Sequence, residues 1–323
     1  MRVLVTGIDG FVGSHAAEYL CGHGGIEVHG TVLPPGPAKH IEHLREQVHL
    51  HEANILDDAR MEQLLMSVRP DRVIHLAGQA FVPTSMSDPA GTFRVNIMGG
   101  IALLEAARLL QERTGKRPVL LIVSTGEVYG RVPHYPVAES APLNPLNPYA
   151  ASKASLDLIA QNYRTTFGLR TIVVRPFNHA GPRQSPVFVA SDFGRQFALI
   201  AEGKSEPRIR AGNLDPQRDF TDVRDVVRAY WGLLSQGETH HVYNVCSGHV
   251  VAVRDLIALY EDVTGIHVSV TTESQRARPD DVMFIAGSFA RLRDATGWEP
   301  AIPLRQTLGD VFAYWRAEVA SAS

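Results

Sequence analysis

Short runs of aliphatic and β-branched residues alternate with longer amphipathic stretches along the first half of the chain. The apolar runs Arg2 to Thr6, Glu27 to Val32, Arg72 to Leu76, Val119 to Val123 and Thr171 to Arg175 predict strands; the segments Phe11 to Cys21, Asp58 to Val68, Ala90 to Arg113 and Pro148 to Phe167 predict helices. Strands that are apolar throughout are buried on both faces, so helices cover a parallel sheet from two sides. The pattern predicts an α/β chain with a doubly wound parallel sheet, whose ligand site lies beyond the carboxyl ends of the strands. After Arg175 a loop carrying Pro176, Pro182 and Pro186 marks where the chain leaves the sheet. It then returns: Thr221 is a candidate cap for a helix from Asp222 to Ser235, with Val223, Val226, Val227, Tyr230 and Leu234 on one stripe, followed by a strand-like His241 to Cys246. The expected organisation is one domain of residues 1–175 with 215–248 returning to it, and a smaller α/β lobe of 176–214 and 249–323.

The first strand runs into Thr6-Gly7-Ile8-Asp9-Gly10-Phe11-Val12-Gly13, then into a helix. In this Rossmann-type fingerprint Gly7 allows the tight turn, Gly10 lets backbone approach a pyrophosphate, and Gly13 permits close helix packing. A carboxylate that grips the adenosine ribose is expected at the end of the second strand. That strand instead ends Thr31-Val32-Leu33-Pro34-Pro35, with Lys39 the nearest cation. Nothing there repels a ribose phosphate, so the reading favours NADP(H) over NAD(H) by a narrow margin.

Tyr149 and Lys153 lie one turn apart in NPYAASK, where Asn147 is a good N-cap and Pro148 a good first helical residue. An ammonium ~4 Å from a phenolate supplies roughly 4 kcal/mol at an effective dielectric near 20, enough to lower a phenol pKa by ~2 to 3 units. The expectation is a phenol drawn toward neutrality as a general acid or base. Ser124-Thr125-Gly126-Glu127 leaves the strand at Val123, so Thr125 is the candidate hydroxyl beside Tyr149.

Net charge is -3 and no basic run stands out, which argues against nucleic acid and anionic membrane as partners. Cys21 and Cys246 form no CxxC pair, which fits a reducing compartment. The chain opens on a core strand with no charged-then-apolar leader, and no apolar run approaches ~18 residues, so a soluble, cytoplasmic protein is expected. The fourteen histidines, among them His23, His29, His40, His43, His49 and His51, scatter without ligand spacing or a carboxylate set, and no metal site is expected.

Across essentially its whole length the chain resembles the extended short-chain dehydrogenase/reductases that modify nucleotide sugars, through TGIDGFVGS, HLAGQAFVPTS, STGEVYG, NPYAASK, RPFNHAGP, GNLDPQRDFTDVRDV, VYNVCSG, RARPDD and TGWEP. Within that family it is most similar to GDP-mannose 4,6-dehydratases and GDP-4-keto-6-deoxymannose reductases. The resemblance implies catalytic roles for Thr125, Tyr149 and Lys153. It implies dinucleotide contacts from Phe11 and Val12, from Asn54 and Ile55 (Asn where an Asp is usual), and from Leu76, Ala77 and Gly78 (Gly where many relatives have Ala). Asn96 matches a buried Asn, whose structural and functional roles stand even. Ser85 and Asn178 match residues facing sugar and diphosphate, and Arg218 and Arg278 match arginines that clasp the diphosphate of a GDP-sugar, as the guanidinium fork suits. The smaller lobe is then the nucleotide-sugar-binding one, and a homodimer through a four-helix bundle is implied.

Eliminating water across sugar C5 and C6 needs a base and a proton donor. In the dehydratases of this family those follow the catalytic Thr; here the two positions are Gly126 and Glu127. Glycine offers no donor, which favours NAD(P)H-dependent reduction of GDP-4-keto-6-deoxy-D-mannose at C4. Glu127 keeps GDP-mannose 4,6-dehydratase as the first alternative and a nucleotide-sugar 4-epimerase as the second. A non-catalytic NADP-sensing module has no need of Thr125, Tyr149 and Lys153 together.

Overall fold

The structure is a computed structural model that describes residues 1–35, 38–236, 242–273 and 282–321. In chain order its elements are β1 (Arg2–Thr6), α1 (Phe11–Cys21), β2 (Glu27–Val32), β3 (Val48–Glu52), α2 (Asp58–Val68), β4 (Arg72–His75), α3 (Val82–Ser87), α4 (Pro89–Phe93), α5 (Gly99–Thr114), β5 (Val119–Val123), α6 (Pro148–Phe167), β6 (Arg170–Pro176) and β7 (Asn178–Ala180). There follow α7 (Val189–Ala201), β8 (Arg208–Ala211), β9 (Gln217–Asp222), α8 (Val223–Gln236), β10 (Val242–Val245), β11 (Val250–Ala252), α9 (Val253–Thr264), β12 (Ser269–Thr272), β13 (Phe284–Ile285), α10 (Ala290–Thr296) and α11 (Leu304–Ser321).

Seven strands pair in parallel in the order β10-β6-β5-β4-β1-β2-β3. The chain winds outward from β1 through β2 and β3, then crosses to β4 on its other side. That reversal opens a crevice at the carboxyl ends of β1 and β4, the ligand position of a doubly wound sheet. Val3, Val5 and Val28 pack on one face against Ala17 and Leu20 of α1 and Val226 and Tyr230 of α8. Leu4, Val73 and Leu120 face the other way, onto Met61 and Leu64 of α2, Leu103 of α5 and Leu156 of α6. A third core joins Phe193 and Phe197 of α7, Leu256 and Tyr260 of α9, and Leu308 and Val311 of α11. Over it lie the pairings of β9 with β7, β11 and β13, and the parallel pair β8 and β12.

Three local expectations change. The strand β3 carries only Val48 and Leu50 as apolar residues, so it sends a weak signal; it forms because β2 supplies a complete parallel ladder. The single helix expected over Ala90 to Arg113 is α4, a π-helical turn Arg94–Met98, and α5. Thr221 does not cap α8: it lies in β9 with a buried hydroxyl that has no hydrogen-bond partner among the described residues, and Asp222 Oδ1 accepts from the Arg224 amide at 2.7 Å instead. Of the strand-like segment from His241, His241 itself lies outside the described residues. No helix among the described residues is long and apolar enough to cross a membrane.

Candidate active site

The glycines build a cradle at the crevice. Gly7 has φ +69°, a conformation costly for any other L-residue, and turns the chain off β1. A Cβ on Gly13 would sit 2.2 Å from the Gly7 carbonyl oxygen, so only glycine lets α1 start this close to the turn. The first intrahelical bond of α1 is donated by Ser14 to Gly10 at 2.9 Å; the preceding amides of Phe11, Val12 and Gly13 form the positive end of the helix. The Phe11 ring is flanked by His179, stacked at 5.8 Å, and by His15, edge-on at 5.8 Å. That contact ties the start of α1 to the chain leaving β6. The cradle therefore fits a dinucleotide pyrophosphate.

The far wall of the crevice hangs on Thr6 and His75, which the sequence did not single out. Thr6 Oγ1 accepts from the Leu76 amide at 3.1 Å and the Ala77 amide at 3.2 Å, and its hydroxyl donates to His75 Nδ1 at 2.9 Å. Burial pushes the His75 pKa down to about 3, with the Lys153 cation acting in the same direction, so the imidazole stays neutral and keeps accepting. At Gly78 a Cβ would lie 2.9 Å from Asn96 Oδ1; the glycine thus admits the Asn96 amide. Asn96 accepts from the Gln79 amide at 2.8 Å and donates to the Gln79 carbonyl at 2.9 Å and to Ser152 Oγ at 2.8 Å. Ser152 in turn donates to the Tyr149 carbonyl at 2.7 Å. Asn96 is a clasp between this wall and α6, presented by the π-helical turn. Ile55 is core, and Asn54 closes a turn after β3 by accepting from the Leu56 amide at 3.0 Å. Lys39, the nearest cation in sequence, is paired with Glu318 of α11 at 2.6 Å.

Asn147 caps α6 by accepting from the Ala150 amide at 2.8 Å, and its Nδ2 donates to Glu127 Oε2 at 3.0 Å. One amide thereby fixes both the start of the Tyr149 helix and the Glu127 carboxylate. Thr125 is buried at the end of β5 and accepts from the Glu127 amide at 3.2 Å. Lys153 is buried on α6 with Nζ donating to the Val123 carbonyl at 3.0 Å.

The expected depression of the phenol is not found. Burial and the Glu127 carboxylate push the Tyr149 pKa up, against a smaller opposing hydrogen bond from Thr125. The Lys153 amine is itself pushed down to about 8 by burial. Desolvation penalises the charged form of each group, and here it is the largest cause of both shifts.

Thr125, Glu127, Tyr149 and Lys153 thus gather at the carboxyl ends of β4 and β5. Gly126 needs its lack of side chain for packing: a Cβ would meet the Phe177 ring at 2.9 Å. The residues assigned to substrate are less uniform. Asn178 is exposed on β7. Arg218 on β9 is half-buried and donates to the Gln217 carbonyl at 2.9 Å. Ser85 is fully buried, and its hydroxyl donates to the Val82 carbonyl at 2.7 Å within α3. Arg278 lies outside the described residues.

The histidines do not scatter as their positions in sequence suggest. His15, His40 and His43 gather around Arg183 and Glu18. Glu27, His29 and His49 meet on β2 and β3 with their ligand atoms within 4.8 Å of one another.

A parallel sheet reversed between β1 and β4, a glycine cradle on α1, and a tyrosine and lysine one turn apart on α6 define a short-chain dehydrogenase/reductase of the extended type. The chain belongs to the GDP-mannose 4,6 dehydratase family, whose model matches residues 4–311. It is 37% identical to the GDP-6-deoxy-D-mannose reductase of Pseudomonas aeruginosa over 98% of each chain. It is also similar to the solved structure of RMD from Pseudomonas aeruginosa complexed with NADPH, at TM-score 0.84 and 36% identity over 98% of this chain and 99% of that one. Thermus thermophilus UDP-glucose 4-epimerase complexed with NAD superposes at TM-score 0.85 and 31% identity over 98% and 99% of the two chains.

Proposed function

We propose that the protein reduces the C4 ketone of GDP-4-keto-6-deoxy-D-mannose with NADPH, giving a GDP-6-deoxyhexose of the GDP-D-rhamnose type. The similarity to a GDP-6-deoxy-D-mannose reductase over nearly the full length of both chains supports the substrate. Gly7, Gly10, Phe11, Val12 and Gly13, with Asn54, Ile55, Leu76, Ala77 and Gly78, would hold a nicotinamide dinucleotide, which would supply the hydride for the ketone carbon. The residues of this chain manage the proton. A phenol raised by burial and by Glu127 is protonated at neutral pH, which is the form that a reductase consumes. Tyr149 donates its proton to the C4 oxygen while the Thr125 hydroxyl holds that oxygen in place. The Lys153 cation then favours the phenolate left behind. Asn178, Arg218 and Arg278 are the proposed diphosphate contacts. Ser85 supports the reading least, because its hydroxyl is already engaged.

The observation that carries reduction over elimination is at Gly126. The Phe177 ring occupies the space where a side-chain proton donor would stand. Glu127, bound by the helix cap Asn147, reads as a positioning group that also keeps Tyr149 protonated. The absence of a carboxylate at the end of β2 supports NADP(H) over NAD(H). The proposed setting is cytoplasmic and the proposed assembly a homodimer through α5 and α6, with Met98 immediately before α5 and Leu158 on α6 standing 52% and 57% exposed.

Purified protein is incubated with NADPH and either GDP-4-keto-6-deoxymannose or GDP-mannose. Stoichiometric NADPH oxidation with the ketosugar alone is the expected result. Conversion of GDP-mannose to a ketosugar without net cofactor consumption overturns the reading in favour of the dehydratase.

A further inference from the structure

The edge of the large sheet carries chemistry that the proposed reaction does not use. Parallel register places His29 of β2 directly beside His49 of β3, and Thr31 beside His51. Side chains two apart on a strand share a face, so Glu27, His29, His49 and His51 form one cluster. His29 Nε2 lies 3.0 Å from Glu27 Oε1, and His49 Nε2 lies 3.9 Å from the same oxygen. Adjacent ligand atoms around a tetrahedral zinc ion with metal–ligand distances near 2.0 Å are about 3.3 Å apart. The cluster brackets that spacing, and the His49 side chain, 61% exposed, is free to adjust.

From this geometry we infer a divalent transition-metal site, with Glu27 Oε1, His29 Nε2 and His49 Nε2 as ligands and water completing the coordination. Two surrounding contacts suit it. His29 Nδ1 is 3.1 Å from His51 Nε2, a hydrogen bond in which one ring donates and the other accepts. Donation by His29 from Nδ1 leaves its Nε2 lone pair directed at the ion and fixes the ring, as the outer partners of ligating histidines do. The other oxygen of Glu27 accepts from Arg2 Nε at 3.1 Å, which leaves Oε1 as a single, oriented ligand atom. Two imidazoles and one carboxylate suit Zn²⁺ and Co²⁺ and are a poor set for Mg²⁺ or Ca²⁺, which take oxygen ligands. The site staples β3 to β2. Since β3 pairs with no other strand among the described residues, the ion reinforces this edge of the sheet.

The test uses tag-free full-length protein stripped with chelator, then titrated with Zn²⁺ by calorimetry and with Co²⁺ by visible absorption. One equivalent is expected to bind and to raise Tm by a few degrees through preferential binding to the folded state. His49→Ala and Glu27→Gln, both at partly exposed side chains, should weaken binding at least about tenfold, and His51→Ala should do so through loss of ring orientation. His43→Ala, in the other histidine group, should bind as the parent does. No stoichiometric binding, unchanged affinity in His49→Ala, or loss in His43→Ala instead overturns the site. NADPH-dependent turnover of the ketosugar is a separate readout, so the two proposals fail independently.

Discussion

At the scale of single residues, burial decides the protonation states in the site. Tyr149 and Lys153 were legible as a pair because a four-residue spacing on a capped helix needs no tertiary information. Their electrostatics were not legible, because desolvation depends on everything packed around them. The pH dependence follows with a definite sign. Lys153 titrates near 8 folded and near 10.5 unfolded, so between those values the unfolded state binds more protons and stability rises with pH. Urea unfolding at pH 8 and pH 10 should show the parent gaining about 2 kcal/mol relative to Lys153→Met across that interval, since each pKa unit is worth about 1.4 kcal/mol. A parallel response of the two proteins would show that the amine is not desolvated. The same limit explains Gly126: its missing side chain is plain in the sequence, whereas the ring of Phe177, fifty-one residues on, is a fact of packing.

At the scale of elements, the buried strands and the first helix announced themselves, since continuous apolar runs and a glycine fingerprint are local signals. The edge strand β3 did not, because alternating His and apolar residues become a strand only beside β2. Nor did the break between α4 and α5. The π-helical turn there presents Asn96, whose amide saturates Gln79 and holds Ser152. Asn96→Ala leaves the amide and the carbonyl of Gln79 without their partner in a part-buried wall, which should cost about 1 to 2 kcal/mol in urea unfolding. It should also lower kcat, since Ser152 helps to set the start of the Tyr149 helix. A variant with unchanged stability would remove the clasp.

At the scale of the whole molecule, the apolar side chains left exposed on and beside α5 and α6 bear on assembly. Leu158→Glu should convert a species sedimenting at twice the 35.4 kDa chain mass into one at the chain mass. Such a surface change on a free face would alter neither mass nor stability by more than about 0.5 kcal/mol. A dimer that persists in the variant takes α6 out of the proposed interface. By itself the sequence determined the parallel sheet, the glycine cradle, the one-turn spacing of Tyr149 and Lys153 on a helix, and the resemblance that the comparisons bear out, because each is written in residues close together along the chain. Only the tertiary structure decided that Ser85 is buried, that Tyr149 is held protonated, that Phe177 closes the space at Gly126, and that Glu27, His29 and His49 converge. Those depend on which strands and loops become neighbours, and proximity in a folded chain is set by packing and register rather than by position in the sequence.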